Sequence, residues 1–306
     1  MKNKVLSLGL GLLVAFALNL QTACAQDIPK DSLTQVSIQT TDGNEYTGYI
    51  VAQSPESVSL KTETLGTVSI PKKMIKSIQR IRKEQIVAGE YWYDNPYATR
   101  YFFGPNGYGL RKGEGYYQNA WIFFNQVSYG ITDNFTIGAG VIPLFLFAGT
   151  ATPIWLTPKV SVPVKKDKVN LGVGGLFAIV AGEDNSSFGV AYGQLTLGPR
   201  DRNINFGLGY GYAGDDWADS PTITISGTYR TSKKFALMTV NYVFDTGDNN
   251  TVLLSFGGRF IGRHVAIDAG LFIPAEGEDF VAVPWLGVNV PFGHPAYDRA
   301  TGRKGR

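Results

Sequence analysis

The chain has 306 residues, 44% of them hydrophobic and only 17% charged, with 37 glycines and a formal net charge of +3. Its aromatic share of 13% excludes a disordered or collagen-like chain. The nearly balanced charge excludes a polyanion-binding protein, and no nucleic-acid partner is expected.

The first 25 residues read as a signal peptide. Lys2 and Lys4 form a positive start, Val5 to Leu18 an apolar run, and Ala23-Cys24-Ala25 an A-x-A cleavage site before Gln26. Cys24, the only cysteine, admits a second reading as the lipidated residue of a lipoprotein signal. Gln21 stands where such signals prefer Leu, which favours ordinary cleavage, and the mature chain then has neither a disulfide nor a cysteine ligand. No later window approaches 18 uncharged apolar residues, so no transmembrane helix is expected.

Residues 26–83 form a small β module. Five short strands are predicted, at 33–40, 45–52, 58–64, 68–70 and 75–81, with turns at Asp42-Gly43, Ser54-Pro55 and Gly66 and a short turn over Pro71 to Met74. Val36, Ile38, Val58, Leu60, Val68, Ile70, Ile75 and Ile78 are the expected core. Residues 84–96 read as a linker.

From 97 to 293 the chain is a succession of alternating segments of roughly 10 residues, the length that crosses a bilayer as tilted strands. Twelve are predicted, at 98–103, 117–129, 135–147, 154–164, 169–181, 188–198, 203–213, 222–230, 235–244, 251–260, 265–273 and 280–292. Ile204, Phe206, Leu208, Tyr210 and Tyr212 alternate with Asn203, Asn205, Gly207, Gly209 and Gly211. Ala236, Met238, Val240, Tyr242 and Phe244 alternate with Leu237, Thr239, Asn241 and Val243. One such face suits lipid and the other a polar or tightly filled lumen. Short links, such as Thr132 to Asn134 and Lys165 to Lys168, alternate with longer ones such as Gly104 to Gly115 and Gly214 to Pro221. The fold class is therefore an all-β, antiparallel transmembrane barrel of about 12 strands, preceded by the five-stranded module. Both chain ends fall on the short-turn side, which in outer-membrane barrels is the periplasm. A basic tail occupies 294–306.

Two stretches carry resemblances. The opening Val36-x-Ile38-x-Thr40-x-Asp42-Gly43 and the closing Ile70-Pro71-Lys72 to Ile78 of the module resemble Sm-like or SH3-like small barrels. Gly287-Val288-Asn289-Val290-Pro291-Phe292 resembles the assembly signal that ends outer-membrane barrels, although 14 residues follow it and Pro291 demands an edge or bulge position. The runs from Arg100 to Asn119 and from Tyr129 to Pro143 are similar to a Bacteroidota group of outer-membrane barrel proteins without assigned activity. That resemblance implies place and fold only.

The sequence offers little for catalysis. Barrel hydrolases need a histidine near the outer mouth as general base, whereas His264 falls in a short turn and His294 past the last strand. No catalytic, metal or cofactor residues are expected, and no enzyme activity. Charge is more informative. Parity places Arg100, Lys159, Arg230, Arg259 and Asp268 in the lumen, with Arg259 and Asp268 flanking one short turn. Glu183, Asp184, Asp215, Asp216, Asp219, Asp245, Asp248, Glu276, Glu278 and Asp279 gather in the long loops as an acidic outer rim, able to concentrate divalent cations between lipopolysaccharide phosphates. Trp121, Trp155, Trp217 and Trp285 suit interfacial girdles.

The expected function is a passive small-solute channel in the outer membrane with a periplasmic docking module. The alternative is a non-conducting scaffold that anchors a periplasmic protein or the cell wall through that module. Outer-membrane lipid and lipopolysaccharide are the expected surroundings.

Overall fold

A computed structural model describes residues 35–81, 85–95, 97–183, 186–245, 250–262, 264–275 and 281–293. The expected signal peptide with Cys24 and the basic tail lie outside the described residues. The chain divides into two compact units, Met1–Glu84 and Gln85–Arg306.

The first unit is one antiparallel sheet of β1 (Gln35–Thr40), β2 (Glu45–Gln53), β3 (Ser57–Thr62), β4 (Gly66–Pro71) and β5 (Ile75–Arg80), in the order β4-β3-β2-β1-β5. A 3-10 turn over Lys72–Met74 returns β5 to the free side of β1. The β1–β2 connection holds because Gly43 takes the positive φ of +89° that the turn needs. Beside it, the Thr40 hydroxyl donates to the Asp42 carboxylate, which also accepts Asn44 Nδ2 at 2.9 Å. Val36, Ile38, Ile50, Val58, Leu60, Ile70 and Ile78 form the core, with Val68 and Ile75 packed against it. Ile50 is an addition to the expected set. It is reached by a bulge at Val51, where the β2–β3 register shifts between Ile50 and Ala52.

The second unit is a closed antiparallel barrel. Its first residues make two short ladders, β6 (Ile86–Val87) with β7 (Glu90–Tyr91), then β8 (Arg100–Tyr101) with β9 (Gly104–Pro105). The wall follows as β10 (Glu114–Ala120), β11 (Phe124–Gly130), β12 (Phe135–Val141), helix α1 (Pro143–Ala148), then β13 (Thr152–Leu156) with β14 (Lys159–Lys165), β15 (Val169–Ala181), β16 (Ser187–Leu197) and β17 (Arg202–Ala213). After the two-residue β18 (Asp216–Trp217) come β19 (Thr222–Ser232), β20 (Phe235–Asp245), β21 (Asn250–Ile261), β22 (Ala266–Pro274) and β23 (Val283–Gly293). β13 and β14 lie end to end between β12 and β15 as one wall strand. Twelve strands thus close the wall, and β10 pairs with β23 at the seam.

The count of twelve matches the expectation, but the strands composing it differ. The segment predicted at 98–103 is not in the wall. The segment predicted as one strand over 117–129 is instead the β10–β11 hairpin, turning at 121–123. That turn contains none of the usual turn residues. Trp121 and Ile122 stand at φ of 50° and 68°, conformations that cost a bulky side chain and need support. Asn119 Nδ2 donates to Ile122 O at 2.9 Å, Asn125 Nδ2 to Phe123 O at 2.9 Å, and Trp121 Nε1 to Pro284 O at 2.6 Å. β12 likewise stops at Val141, because Pro143 opens α1 rather than extending the strand.

Pro291 is accommodated at the end of a ladder. The β22 pairing with β23 ends at Asn289, so beyond it β23 has only β10 beside it, where Pro291 lies opposite Tyr116. The outward face is apolar: Ile204, Phe206, Leu208 and Tyr210 of β17 are each at least 40% exposed while Asn205 is fully buried. On β20 the polarity is reversed. Ala236, Met238 and Val240 face inward and are buried, whereas Leu237 is exposed on the outside. No described helix is long and apolar enough to cross a membrane.

In the first unit, Ile38 is completely buried at the centre of the core. Ile38→Ala should therefore cost about 2–5 kcal/mol of local stability, measured by hydrogen exchange of the β1 to β5 amides in the full chain. Exchange of the β15–β17 amides should not change.

Candidate functional site

The barrel lumen is the candidate site, because its inward face gathers the buried charges of the described residues. Of the stretch 85–113, expected as the end of a linker, a first strand and an outer loop, residues 97–110 run inside the barrel, with 91–95 and 111–113 at its short-turn end. They close its short-turn end. Tyr93 donates its hydroxyl to Ile261 O at 2.5 Å and Tyr108 to Gly198 O at 2.6 Å, both at the start of short turns. Lys112 N reaches Asp133 Oδ1, in another short turn, at 3.1 Å.

A segment with so little regular structure leaves its own carbonyls and amides without ladder partners, and in a barrel interior these must be met some other way. Wall side chains meet them. Arg259 donates to Tyr97 O at 2.6 Å and Arg230 to Tyr93 O at 2.9 Å. Lys159 Nζ donates to Tyr108 O at 2.5 Å and to Thr99 O at 3.4 Å, and Arg200 to Gly109 O at 2.9 Å. Thr196 and Thr136 accept the amides of Gly107 and Leu110 at 2.7 and 2.9 Å. Gly107 passes so close to the wall that a Cβ there would lie 2.6 Å from Asn170 O, which no other residue could satisfy without displacing the segment.

The tip of the β8–β9 hairpin carries the apolar anchor. Phe102 is fully buried with φ of 35° and packs edge-on against Phe272 and Trp285 at centroid separations of 5.6 and 5.9 Å. Tyr101, Ala120, Met238 and Val240 complete the cluster. This explains the inverted polarity of β20, whose inward side chains meet an apolar hairpin and not water.

The predicted luminal charges occupy different settings. Arg259 and Asp268 lie directly opposite each other on β21 and β22 and form a bidentate pair of 2.6 and 2.8 Å, exposed by 1% and 0%. Asn289 adds a bond of 3.2 Å to the same carboxylate. Arg230, also 1% exposed, pairs with Asp201 at 2.9 Å. Arg100 is on the luminal segment and not on the wall; it donates to Gln118 and sits over the Tyr116 ring at 4.8 Å. Lys159 is buried. Neither Lys159 nor Arg100 has a carboxylate within ion-pair distance among the described residues.

Of the predicted acidic rim, Glu183, Asp215, Asp216, Asp219 and Asp245 lie at the long-loop end, following β15, β17 and β20. Asp184, Asp248, Glu276, Glu278 and Asp279 lie outside the described residues, as does most of the loop from Asp245 to Asn250. Glu183 accepts Ser186 Oγ at 3.1 Å and Asp245 accepts Ser220 Oγ at 3.1 Å. Among the described residues, no three His, Cys, Asp or Glu converge. The girdle expectation fails for two tryptophans. Trp155 and Trp285 are only 5% and 6% exposed and point into the lumen, where Trp155 Nε1 donates to Gln126 Oε1 at 2.9 Å. Trp217 is exposed in a long loop, and Trp121 caps the β10–β11 turn.

Sequence reasoning missed the luminal segment and Arg200. One signal was present: four predicted luminal cations against one luminal acid need acceptors beyond carboxylates, and backbone carbonyls of an internal segment supply them.

Between this segment and wall strands β10 to β20 there remains a cavity of about 300 Å³. Arg100 and Lys159 line it together with Thr99, Phe103, Tyr192 and Tyr242.

No protein-family model and no curated protein matches the chain. Among solved structures it is similar to the KdgM porin, with a TM-score of 0.45 and 7% identity over 58% of this chain and 99% of that one. It is also similar to a loop L8 deletion mutant of OmpT, an outer membrane protein of Vibrio cholerae, with a TM-score of 0.35 and 13% identity over 85% of this chain and 97% of that one. Neither likeness bears on activity.

The Arg259–Asp268 pair is dry, so removing one partner strands the other charge. Arg259→Met should destabilise the barrel by about 3–5 kcal/mol, and the double change Arg259→Met with Asp268→Leu should recover much of that loss. Urea unfolding of vesicle-reconstituted protein, read by heat-modifiable gel mobility, measures both.

Proposed function

We propose that the chain is an outer-membrane β-barrel that does not conduct in this conformation and serves as a closed, anchored scaffold. The observation that carries this reading is the luminal segment, held across the short-turn end by Arg230, Arg259, Lys159 and Arg200. A passive channel, the other reading of the sequence, would require the stretch from Tyr93 to Leu110 to leave the lumen. That would break each of these charge-assisted bonds and strand buried cations. The reading includes no enzyme activity.

The membrane assignment is supported by an outward face of exposed Ile, Phe, Leu, Val and Tyr on closed strands of 9 to 13 residues from β15 to β23, β18 aside. In hydrocarbon only a closed ladder leaves no backbone group unmet. The start of β10 and the end of β23 both lie at the short-turn end, which supports an orientation with the short turns toward the periplasm, and the N-terminal module is assigned to that compartment. The five-stranded meander with its returning β5 supports the likeness to Sm-like or SH3-like small barrels. The module then docks a periplasmic protein or the cell wall, and the acidic long loops face lipopolysaccharide.

Planar-bilayer recording tests the closed state. Well-folded wild-type protein should show no unitary conductance steps, and regular ohmic steps from such protein would overturn the scaffold reading. The membrane face has its own test. Val173, 65% exposed at mid-strand on β15, should resist charge, so that Val173→Arg costs about 2–4 kcal/mol of folding into vesicles.

A further inference from the structure

Of the four luminal cations predicted from the sequence, two hold a carboxylate and two do not, and that division coincides with the cavity. Arg230 and Arg259 each hold a carboxylate, at 2.9 and 2.6 Å, and neither lines the cavity. Arg100 and Lys159 hold none among the described residues, and both line it. A buried cation without a counter-charge is costly. The buried Lys159 and the half-buried Arg100, facing one space, make that space attractive to an anion. Lys159 spends two of its three N–H groups on Tyr108 O and Thr99 O, which leaves one for a ligand. Arg100 commits Nη1 to Gln118 and stacks on Tyr116, so its fork is held in place with further donors to offer.

The rest of the lining defines the body of the ligand. Phe103, Leu110, Leu176 and Val190 give apolar walls, and Gln126, Gln194, Thr222 and Thr224 add neutral polar side chains between them. A fully hydrated phosphate would leave oxygens against these apolar groups, whereas a carboxylate on an apolar body matches both floor and walls. At about 300 Å³ the cavity takes a small molecule and not a polymer or a lipid chain pair.

We propose that the cavity is a binding site for a small carboxylic acid with an apolar body, its carboxylate held by Lys159 and Arg100. The site rests on the closed-barrel reading, because Arg100 and Phe103 belong to the segment that closes the lumen. A ligand bound there would be retained by the barrel and not passed through it.

The test is isothermal titration calorimetry of the full chain, folded in detergent, with benzoate, neutral benzamide and inorganic phosphate as probes. Benzoate should bind saturably, and at least tenfold more tightly than either benzamide or phosphate. Lys159→Gln and Arg100→Gln should each weaken benzoate at least tenfold, as expected when one partner of a buried charge pair is truncated. Val190→Trp, which fills the cavity and leaves both cations in place, should abolish binding. It serves as the deciding variant if loss of either cation prevents folding, which heat-modifiable gel mobility reports. Equal affinity for benzoate and benzamide, tighter phosphate binding, no saturable heat from folded wild type, or undiminished binding in Val190→Trp would each overturn the site. Conductance in bilayers would instead overturn the closed barrel, so the two failures are distinguishable.

Discussion

An irregular chain segment can lie inside a protein only if something other than a strand or helix meets its backbone polar groups. Here the barrel wall does so, mostly with cationic side chains. Arg230, Arg259, Lys159 and Arg200 each end on a carbonyl of the segment that precedes the first wall strand. Much else in the lumen follows from this requirement. The inward face is basic, the wall polarity reverses where the segment is apolar, and the remaining space is bounded by side chains already committed to holding the filler.

The same requirement shapes the electrostatics. Hydrogen bonds from charged donors to neutral carbonyls satisfy geometry without cancelling charge. Two of the cations therefore take a carboxylate as well, Asp268 for Arg259 and Asp201 for Arg230. Asp201 comes from a short turn and Asp268 from the neighbouring strand, so one pair secures the mouth and the other the wall. Lys159 takes no such partner among the described residues, and the cavity opens beside it.

How much of this was legible depended on where the constraint was local. β15 was read at 169–181 and found at Val169–Ala181, because hydrocarbon on one side and a lumen on the other write a period of two directly into the sequence. The five-stranded module was read to within a few residues because its turns carry Asp-Gly, Ser-Pro and Gly signals. The β10–β11 hairpin was missed because Trp121 and Ile122 turn the chain with support from Asn119, Asn125 and the distant Pro284, none of which marks a turn in isolation. Alternation on β20 showed two faces without showing which looked inward, since an apolar lumen reverses the usual assignment. The luminal segment was illegible as such, because its partners lie on wall strands far along the chain. The residues that line the lumen were named from parity, yet what each one holds depended on a segment that parity does not describe.

The wall recognises its filler chiefly by main-chain atoms, and this separates the two in their tolerance of mutational drift. The carbonyls that the cations read do not depend on side-chain identity, but Tyr101, Phe102, Asn106, Gly107 and Tyr108 are fixed by packing, close approach or their own hydrogen bonds. Length is another matter, since one inserted residue would shift the carbonyls that follow it out of reach of their donors. Related barrels should therefore vary at the segment's remaining positions while preserving its residue count, and keep Arg230, Arg259, Lys159 and Arg200 unchanged.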